Sequence, residues 1–422
     1  MTGSDRRTLT GADVARVGAS LAATDAELAR RYPGDPGTRQ PVHTVYVPAD
    51  TAGPGTPREW GDRALAALDA HAPDAAAFGE LLALPAGLAA EVHDRVRAKL
   101  RREPVEDLRI DFEDGYGPRP DAEEDAAARA AARTVAEMAG RQGAPPWAGI
   151  RMKCLEAAVR ERGIRTLDVF LTALLDAGGL PDGLVVTLPK VTFPAQVAAM
   201  AELCGQFERA AGLPEGRIRF EVQIETTQAV LGPDGTATVS RLIGAAAGRL
   251  TALHYGTFDY SAACGVGPSH QAPDHPAADH AKAVMQVAAA GTGVRLSDGS
   301  TNVLPVGSTQ DVHTAWRLHY GLVRRSLARA YHQGWDMHPA HLPTRYAAVY
   351  AFCREDLDAA AARLAAYAGK RAGGSAVLDE PATARALCGH LLRGLDCGAL
   401  DPAEVASRTG LTRGELDALA GR

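Results

Sequence analysis

The sequence predicts an α/β fold, a parallel (β/α)8 TIM barrel with a helical insert after the first strand and a C-terminal helical lid or tail. Three observations carry this expectation. Short apolar, β-type runs alternate with helical segments about eight times, and the connections are too long for hairpins, which favours helical crossovers between parallel strands. Five of those runs end in charged residues, and barrels gather their chemistry at the C-terminal ends of strands. The 422 residues exceed one minimal domain and suit a barrel with additions.

The elements follow in order. Residues 1–40 read as an N-terminal helical extension, an amphipathic helix and the turn RRYPGDPGTRQP. The barrel is expected over 41–356. Its first strand is VHTVYVPAD, where β-branched and aromatic residues precede Pro48 and Asp50. A helical insert over 58–103 is punctuated by APD and LPAG. LRIDF is the second strand, followed by a helix from Pro120 to Gln142 whose acidic first turn suits a helix N-terminus. GIRMK, GLVVTLPK, RIRFEVQIET and LTALHYGTFDY read as strands three to six, each with a helix behind it. VRLSDGSTNVLPVG holds the seventh strand, a helix runs from Thr309 to Gln333, and GWDMHP is a short eighth element. Residues 357–422 form the helical lid or tail.

Composition narrows the function classes. A 46% hydrophobic and 23% charged chain is an ordinary globular protein. A net charge of −6 with interspersed signs and no basic stripe argues against nucleic acid as a partner. No apolar stretch is long enough to span a bilayer, and the N-terminus lacks a signal-peptide core, so no membrane partner and a cytoplasmic location are expected. The six cysteines are scattered without a CxxC pair, which excludes a zinc ribbon. Cys264 alone lies near the charged strand ends, and is expected to be a small packing residue. His270, His275 and His280 fit neither HxH nor HExxH spacing and read as a polar loop.

The strand ends suggest metal-assisted chemistry. Glu225 and Asp259 close two different runs, and two carboxylates plus a bidentate 2-oxo acid satisfy a hard cation such as Mg²⁺, or Mn²⁺ in its place. Such a cation polarises an oxo group and stabilises an enolate. Either acid alone could instead pair with a basic neighbour or cap a helix. Arg151 can fork onto a carboxylate or enolate oxygen as lysine cannot; its bland alternative is a buried salt bridge to Glu113 or Asp114. Gly256 and Thr257 offer backbone N–H groups for a substrate carboxylate, or are simply a strand-end turn. His254 and His338 are further acid–base options, His338 more in keeping with a structural hydrogen bond.

TVYVPAD, FEDGYGPRPDAEEDAAAR, GIRMK, TLPKV, VQIET, GTFDY, GWDMHP and VLDEP occur in the order of a known family. The chain resembles the citrate lyase β-subunit-like branch of the HpcH/HpaI aldolase superfamily, and its GTFDY and DFED segments are similar to those of malate synthases. The matched segments run from about residue 43 to 381. The resemblance implies a (β/α)8 barrel, with Glu225 and Asp259 as Mg²⁺ carboxylates and Arg151 as the arginine on the substrate oxygen. It implies that Glu113 and Asp114 form an acidic pair near the metal, acting through water, and that Lys153 stands with the substrate-binding residues. Asp379 matches the aspartate that moves a proton at the acyl methyl carbon. In relatives that residue often arrives from a neighbouring subunit's lid, which implies a homo-oligomer, a trimer or hexamer with lid exchange. Taken alone, Asp379 reads equally as a helix N-cap.

The departures are the 58–103 insert, the tail after 382, and Trp335-Asp336-Met337 where the family has glycine-lysine. In the first-strand loop TAGPGTPREW only Arg58 remains to meet a CoA phosphate, which weakens the expectation of a CoA thioester substrate. The leading reading is a Mg²⁺-dependent carbon–carbon lyase or aldolase, or a Claisen-type condensing enzyme, on a 2-oxo acid or a malyl- or citramalyl-type substrate. Two readings compete with it. One is an acyl-CoA thioesterase or a phosphoenolpyruvate-type enzyme on the same barrel. The other is a non-catalytic ligand-binding barrel.

Overall fold

In the computed structural model, which describes residues 8–371 and 381–422, the β-type runs form eight strands. They are β1 (His43–Pro48), β2 (Asp107–Asp111), β3 (Trp147–Arg151), β4 (Val186–Leu188), β5 (Phe220–Ile224), β6 (Leu250–Tyr255), β7 (Arg295–Ser297) and β8 (Gly334–Asp336). Each strand from β1 to β7 pairs in parallel with its sequence neighbour, and β8 pairs with β1. A parallel bridge from Ser297 to Gln333 joins β7 to the chain entering β8, where the Asp298 N–H donates to the Gln333 carbonyl at 2.9 Å. The sheet therefore closes into the barrel that the alternation predicts.

Strand alternation sends residues to two faces. The outward set, including Leu108, Ile110, Ile150, Val222 and Ile224, is fully buried under the helices. The inward set is also buried but polar or charged: Asp107, Arg109, Thr187, Glu221 and His254. The Arg109 guanidinium forks onto Glu221 at 2.9 and 3.1 Å and also holds Asp107. His254 Nε2 stands 3.0 Å from Glu221, so this acid–base candidate is committed inside the barrel. A charge-compensated network thus fills the space that branched apolar layers usually fill.

The region of the insert folds as three helices, Thr56–His71, Ala75–Leu82 and Ala86–Arg102. Leu68, Phe78 and Leu100 carry them into the core. Gly61 lets the first and third meet, since a Cβ there would lie 2.6 Å from the Leu100 carbonyl oxygen. The helix expected over 309–333 stops at Ala328, and Ala330 takes a left-handed φ of 65° that turns the chain into β8. Beyond the barrel, helices Pro381–Cys397, Pro402–Thr409 and Arg413–Ala420 pack Cys388, Leu391, Val405 and Leu416 into the same core. Cys264 is exposed, against the packing role expected of it, because it sits just past the short helix Thr257–Ala263. Among the described residues no single helix is long and apolar enough to cross a membrane.

Asp336 in β8 is the hub of barrel closure. It is fully buried and accepts from His43 Nδ1 at 2.9 Å, His319 Nε2 at 3.0 Å and Arg345 Nη2 at 2.9 Å. Burial opposes its charge, but Arg345 and the two imidazoles outweigh that and hold the carboxyl well below its ordinary range. Removing one partner of a buried ion pair strands the others at a cost of about 3–5 kcal/mol. Asp336→Ala should lower the unfolding free energy measured by urea denaturation by an amount of that order; an unchanged value would show that β8 closes without it.

Candidate active site

The C-terminal ends of five consecutive strands deliver one cluster of charge. Glu221, Gln223 and Glu225 share the inward face of β5 by period-two alternation, so they rise from the barrel interior to its mouth. On β2 the same alternation places Arg109 inside and Asp111 at the top. Arg151 ends β3, Lys190 lies just past β4, and Asp259 stands in the first turn of the helix after β6.

Arg151 is the most constrained member. Asp111 takes its Nε at 2.7 Å and its Nη2 at 2.6 Å. Tyr46 and Trp335, with ring centroids 4.3 Å apart, crowd one side of the guanidinium at 4.8 and 5.4 Å from Cζ. Burial disfavours this charge, but Asp111 and then Glu113 outweigh it, and the group stays protonated above its ordinary range. Only Nη1 keeps loose contacts, 3.4 Å to Gln223 and 3.4 Å to Glu113. The sequence anticipated a salt bridge to Glu113 or Asp114; the principal partner is Asp111, which closes the same run.

Lys190 joins the acids. Its ammonium lies 2.8 Å from Asp259, 3.1 Å from Asp114 and 3.2 Å from Glu113, and its backbone N–H donates to Glu225 at 2.7 Å. The residue holds a left-handed φ of 50°, and such strain in a non-glycine residue clusters at functional sites. Burial works against the lysine charge, yet Asp259 and the other carboxylates raise its pKa. The signal for Lys190 was present as a charged strand end, without a role attached to it.

Three acids respond to this setting. Burial, the largest effect, raises the Glu225 carboxyl to about 7 against the pull of Arg151 and Lys190. Burial also raises Glu113, with the neighbouring Asp114 charge adding to it and Arg151 opposing. Burial would raise Asp114 too, but the Lys190 ammonium wins and lowers it.

Other predicted residues take different places. Lys153 is held by Glu124 and the Phe112 carbonyl, each at 2.7 Å, and makes no contact with the cluster among the described residues. The Gly256 N–H donates to the Ile224 carbonyl at 3.0 Å, so it is spent within the sheet. Its value is steric: a Cβ would lie 2.5 Å from the Glu225 Cβ. The Thr257 hydroxyl is buried without a partner among the described residues. His338 caps the turn that follows it, accepting from the Ala340 N–H at 3.2 Å. Arg58 is exposed and faces only Asp62, at 3.7 Å. Asp379 lies outside the described residues.

Among the described residues no three His, Cys, Asp or Glu side chains converge as a ready-made metal shell. Glu225 and Asp259 are linked through Lys190 instead. Their donor chemistry nonetheless fits a hard cation. Glu225 is buried and accepts from the Lys190 backbone N–H; Arg151 and Lys190 offset the cost of its charge only in part, and a divalent ion would supply the rest. Two carboxylates suffice when water or substrate oxygens complete the octahedron.

Known proteins can be set beside this geometry. Residues 21–422 match the model of a family described as a domain of unknown function, DUF6986. The chain belongs to that family. No curated protein matches the DUF6986 chain. Among solved structures, a citrate lyase from Burkholderia xenovorans is similar over 89% of this chain and 97% of its own, at 19% identity and a TM-score of 0.57. An HpcH/HpaI aldolase/citrate lyase family protein from Burkholderia cenocepacia aligns over 75% and 93% at 14% identity, with a TM-score of 0.39. A Haloferax volcanii malate synthase in a magnesium/glyoxylate complex aligns over 72% and 74% at 16% identity, with a TM-score of 0.47. The first of these shares the fold.

Glu225 also links the site to stability. The folded state keeps its proton up to about 7, whereas the ordinary carboxyl loses it near 4.5, so raising pH across that window favours unfolding. Replacing the group with a neutral isostere removes that penalty, worth about 3 kcal/mol above the window. In the metal-free protein, the stability gained by Glu225→Gln should grow from pH 4.5 to about 7. Parallel urea stability curves for the two proteins would contradict the buried, protonated carboxyl.

Proposed function

We propose that this protein is a Mg²⁺-dependent carbon–carbon lyase or aldolase, or a Claisen-type condensing enzyme running the reverse reaction, on a 2-oxo acid or a malyl- or citramalyl-type substrate. The observation that most supports this reading is the meeting of Arg151, Lys190, Glu113, Asp114, Glu225 and Asp259 at one end of the barrel. Structural ion pairs alone do not need a strained lysine, a buried carboxyl raised to about 7 and a stacked arginine with one loose nitrogen.

Glu225 and Asp259 would hold Mg²⁺, or Mn²⁺ with the same preference for oxygen. A cation bound there supplies Lewis-acid polarisation of the substrate oxo group. The chain's own groups then divide the remaining work. Asp111 fixes Arg151 through Nε and Nη2, which leaves Nη1 to donate to a substrate carboxylate or developing enolate oxygen. Tyr46 and Trp335 keep water from one side of the guanidinium. Lys190 restrains Asp259 and Asp114 while its N–H orients Glu225. Glu113, raised by burial, is suited to hold a proton or position a water beside Arg151. Asp379 is proposed to move the proton at the carbon nucleophile, reaching the site from a neighbouring copy in a homo-oligomeric trimer or hexamer.

Asp259 has a half-exposed side chain, so Asp259→Asn should leave the fold intact. Its metal-dependent cleavage of malyl-type substrates should fall by at least about 100-fold, the usual cost of losing a group that stabilises transition-state charge. Full activity in this variant would remove Asp259 from the site. Arg151→Lys should cost a comparable factor, because an ammonium cannot be forked by Asp111 and still donate to substrate.

A further inference from the structure

The opposite end of the barrel holds a second charged recess. The N-terminal segment, the start of β7 and the C-terminal helices enclose a cleft of about 290 Å³. It shares Arg295, Thr38 and Gly293 with a larger cavity of about 690 Å³ under the barrel floor. Three arginines from distant parts of the sequence face the cleft: Arg295, Arg393 and Arg422.

Their charge is poorly compensated. Asp35 pairs with Arg422 Nη2 at 2.7 Å, but Arg422 Nη1 is buried without a hydrogen-bond partner among the described residues, on a side chain only 6% exposed. Asp396 is held through one oxygen by Arg413 at 2.5 Å, and its other oxygen stands 4.0 Å from that same Arg422 Nη1, an ion pair too long for a hydrogen bond. Arg295 donates to the Arg39 carbonyl at 2.7 Å and the Thr38 hydroxyl at 2.6 Å. Among the described residues neither Arg295 nor Arg393 forms an ion pair. Burial pulls the pKa of both below the ordinary arginine value; Arg422 adds to it by like-charge repulsion, and Asp35 and Asp396 offset the two only in part.

We propose that this cleft binds the oxyanion head of a small anionic metabolite, a phosphate or a clustered carboxylate, whose remainder lies in the adjoining cavity. Guanidinium forks match both oxyanions in geometry, and the buried Arg422 Nη1, whose Asp396 neighbour is 4.0 Å away, has no acceptor at hydrogen-bond distance among the described residues. A recess of this size rather than a basic stripe also argues against nucleic acid. The site is separate from the strand ends that carry the proposed catalysis, so an occupant would act as an effector or a structural ligand.

Arg393 gives the discriminating test, because among the described residues it holds no ion-pair partner that its replacement would strand. Calorimetric titration of the full chain with inorganic phosphate, and separately with citrate, without divalent metal, should give saturable binding of at least one. Phosphate alone would point to a phosphorylated ligand and citrate alone to a polycarboxylate; either supports the site. Arg393→Met should weaken that binding at least 10-fold, while its ligand-free melting temperature stays equal to or above that of the unaltered protein, since like-charge repulsion is relieved. The proposal is overturned by three results: no saturable binding of either anion, binding unchanged in Arg393→Met, or binding lost instead in Arg151→Met. A melting temperature several degrees lower in Arg393→Met would make the arginine a structural brace and overturn it as well.

Discussion

Asp111 grips Arg151 through both oxygens where β2 and β3 end, and the organisation of the barrel mouth follows from that pair. Asp111 also accepts the N–H groups of Glu113 and Gly115, each at 2.9 Å. The loop that carries Glu113 and Asp114 is therefore tied to the same carboxylate that orients the arginine. Gly115 is required there, since a Cβ would meet Asp111 Oδ2 at 2.6 Å. Fixing one guanidinium thus fixes two further acids, and those acids in turn receive the Lys190 ammonium.

Charge balance then explains why this end of the barrel differs from its interior. Inside, Arg109 is matched by Glu221 and Asp107 at hydrogen-bond distance, and a closed network of this kind is a stable, rigid floor. At the mouth, Asp111, Glu113, Asp114, Glu225 and Asp259 outnumber Arg151 and Lys190. The excess is tolerated because burial keeps protons on Glu225 and Glu113 more readily than usual. An added cation would relieve the same excess, which is the physical basis for placing a metal at this end. At the barrel floor the imbalance has the opposite sign, with arginines in excess.

The barrel was legible because its strands are β-branched runs separated by long helical stretches, and the closing pair of β8 with β1 needed only that alternation. Glu225, Asp259 and Arg151 were legible as charged residues at strand ends. Lys190 and Asp111 were present in the same motifs, yet their roles depend on a left-handed backbone angle and on a contact between strands 40 residues apart, which spacing does not encode. Lys153 looked equivalent to Arg151, but Glu124 from the preceding helix captures it. Gly256 read as a donor, whereas its N–H completes the β5–β6 ladder and its missing side chain makes room for Glu225. The arginine cleft unites Arg295, Arg393 and Arg422 only through tertiary packing.

The most direct measurement is calorimetric titration of the protein with glyoxylate, pyruvate and oxaloacetate, each with and without Mg²⁺. The account predicts that one of them binds only when Mg²⁺ is present, and that this binding is lost in Arg151→Met. Equal binding with and without the metal, or none under either condition, would contradict a chelate site at the strand ends.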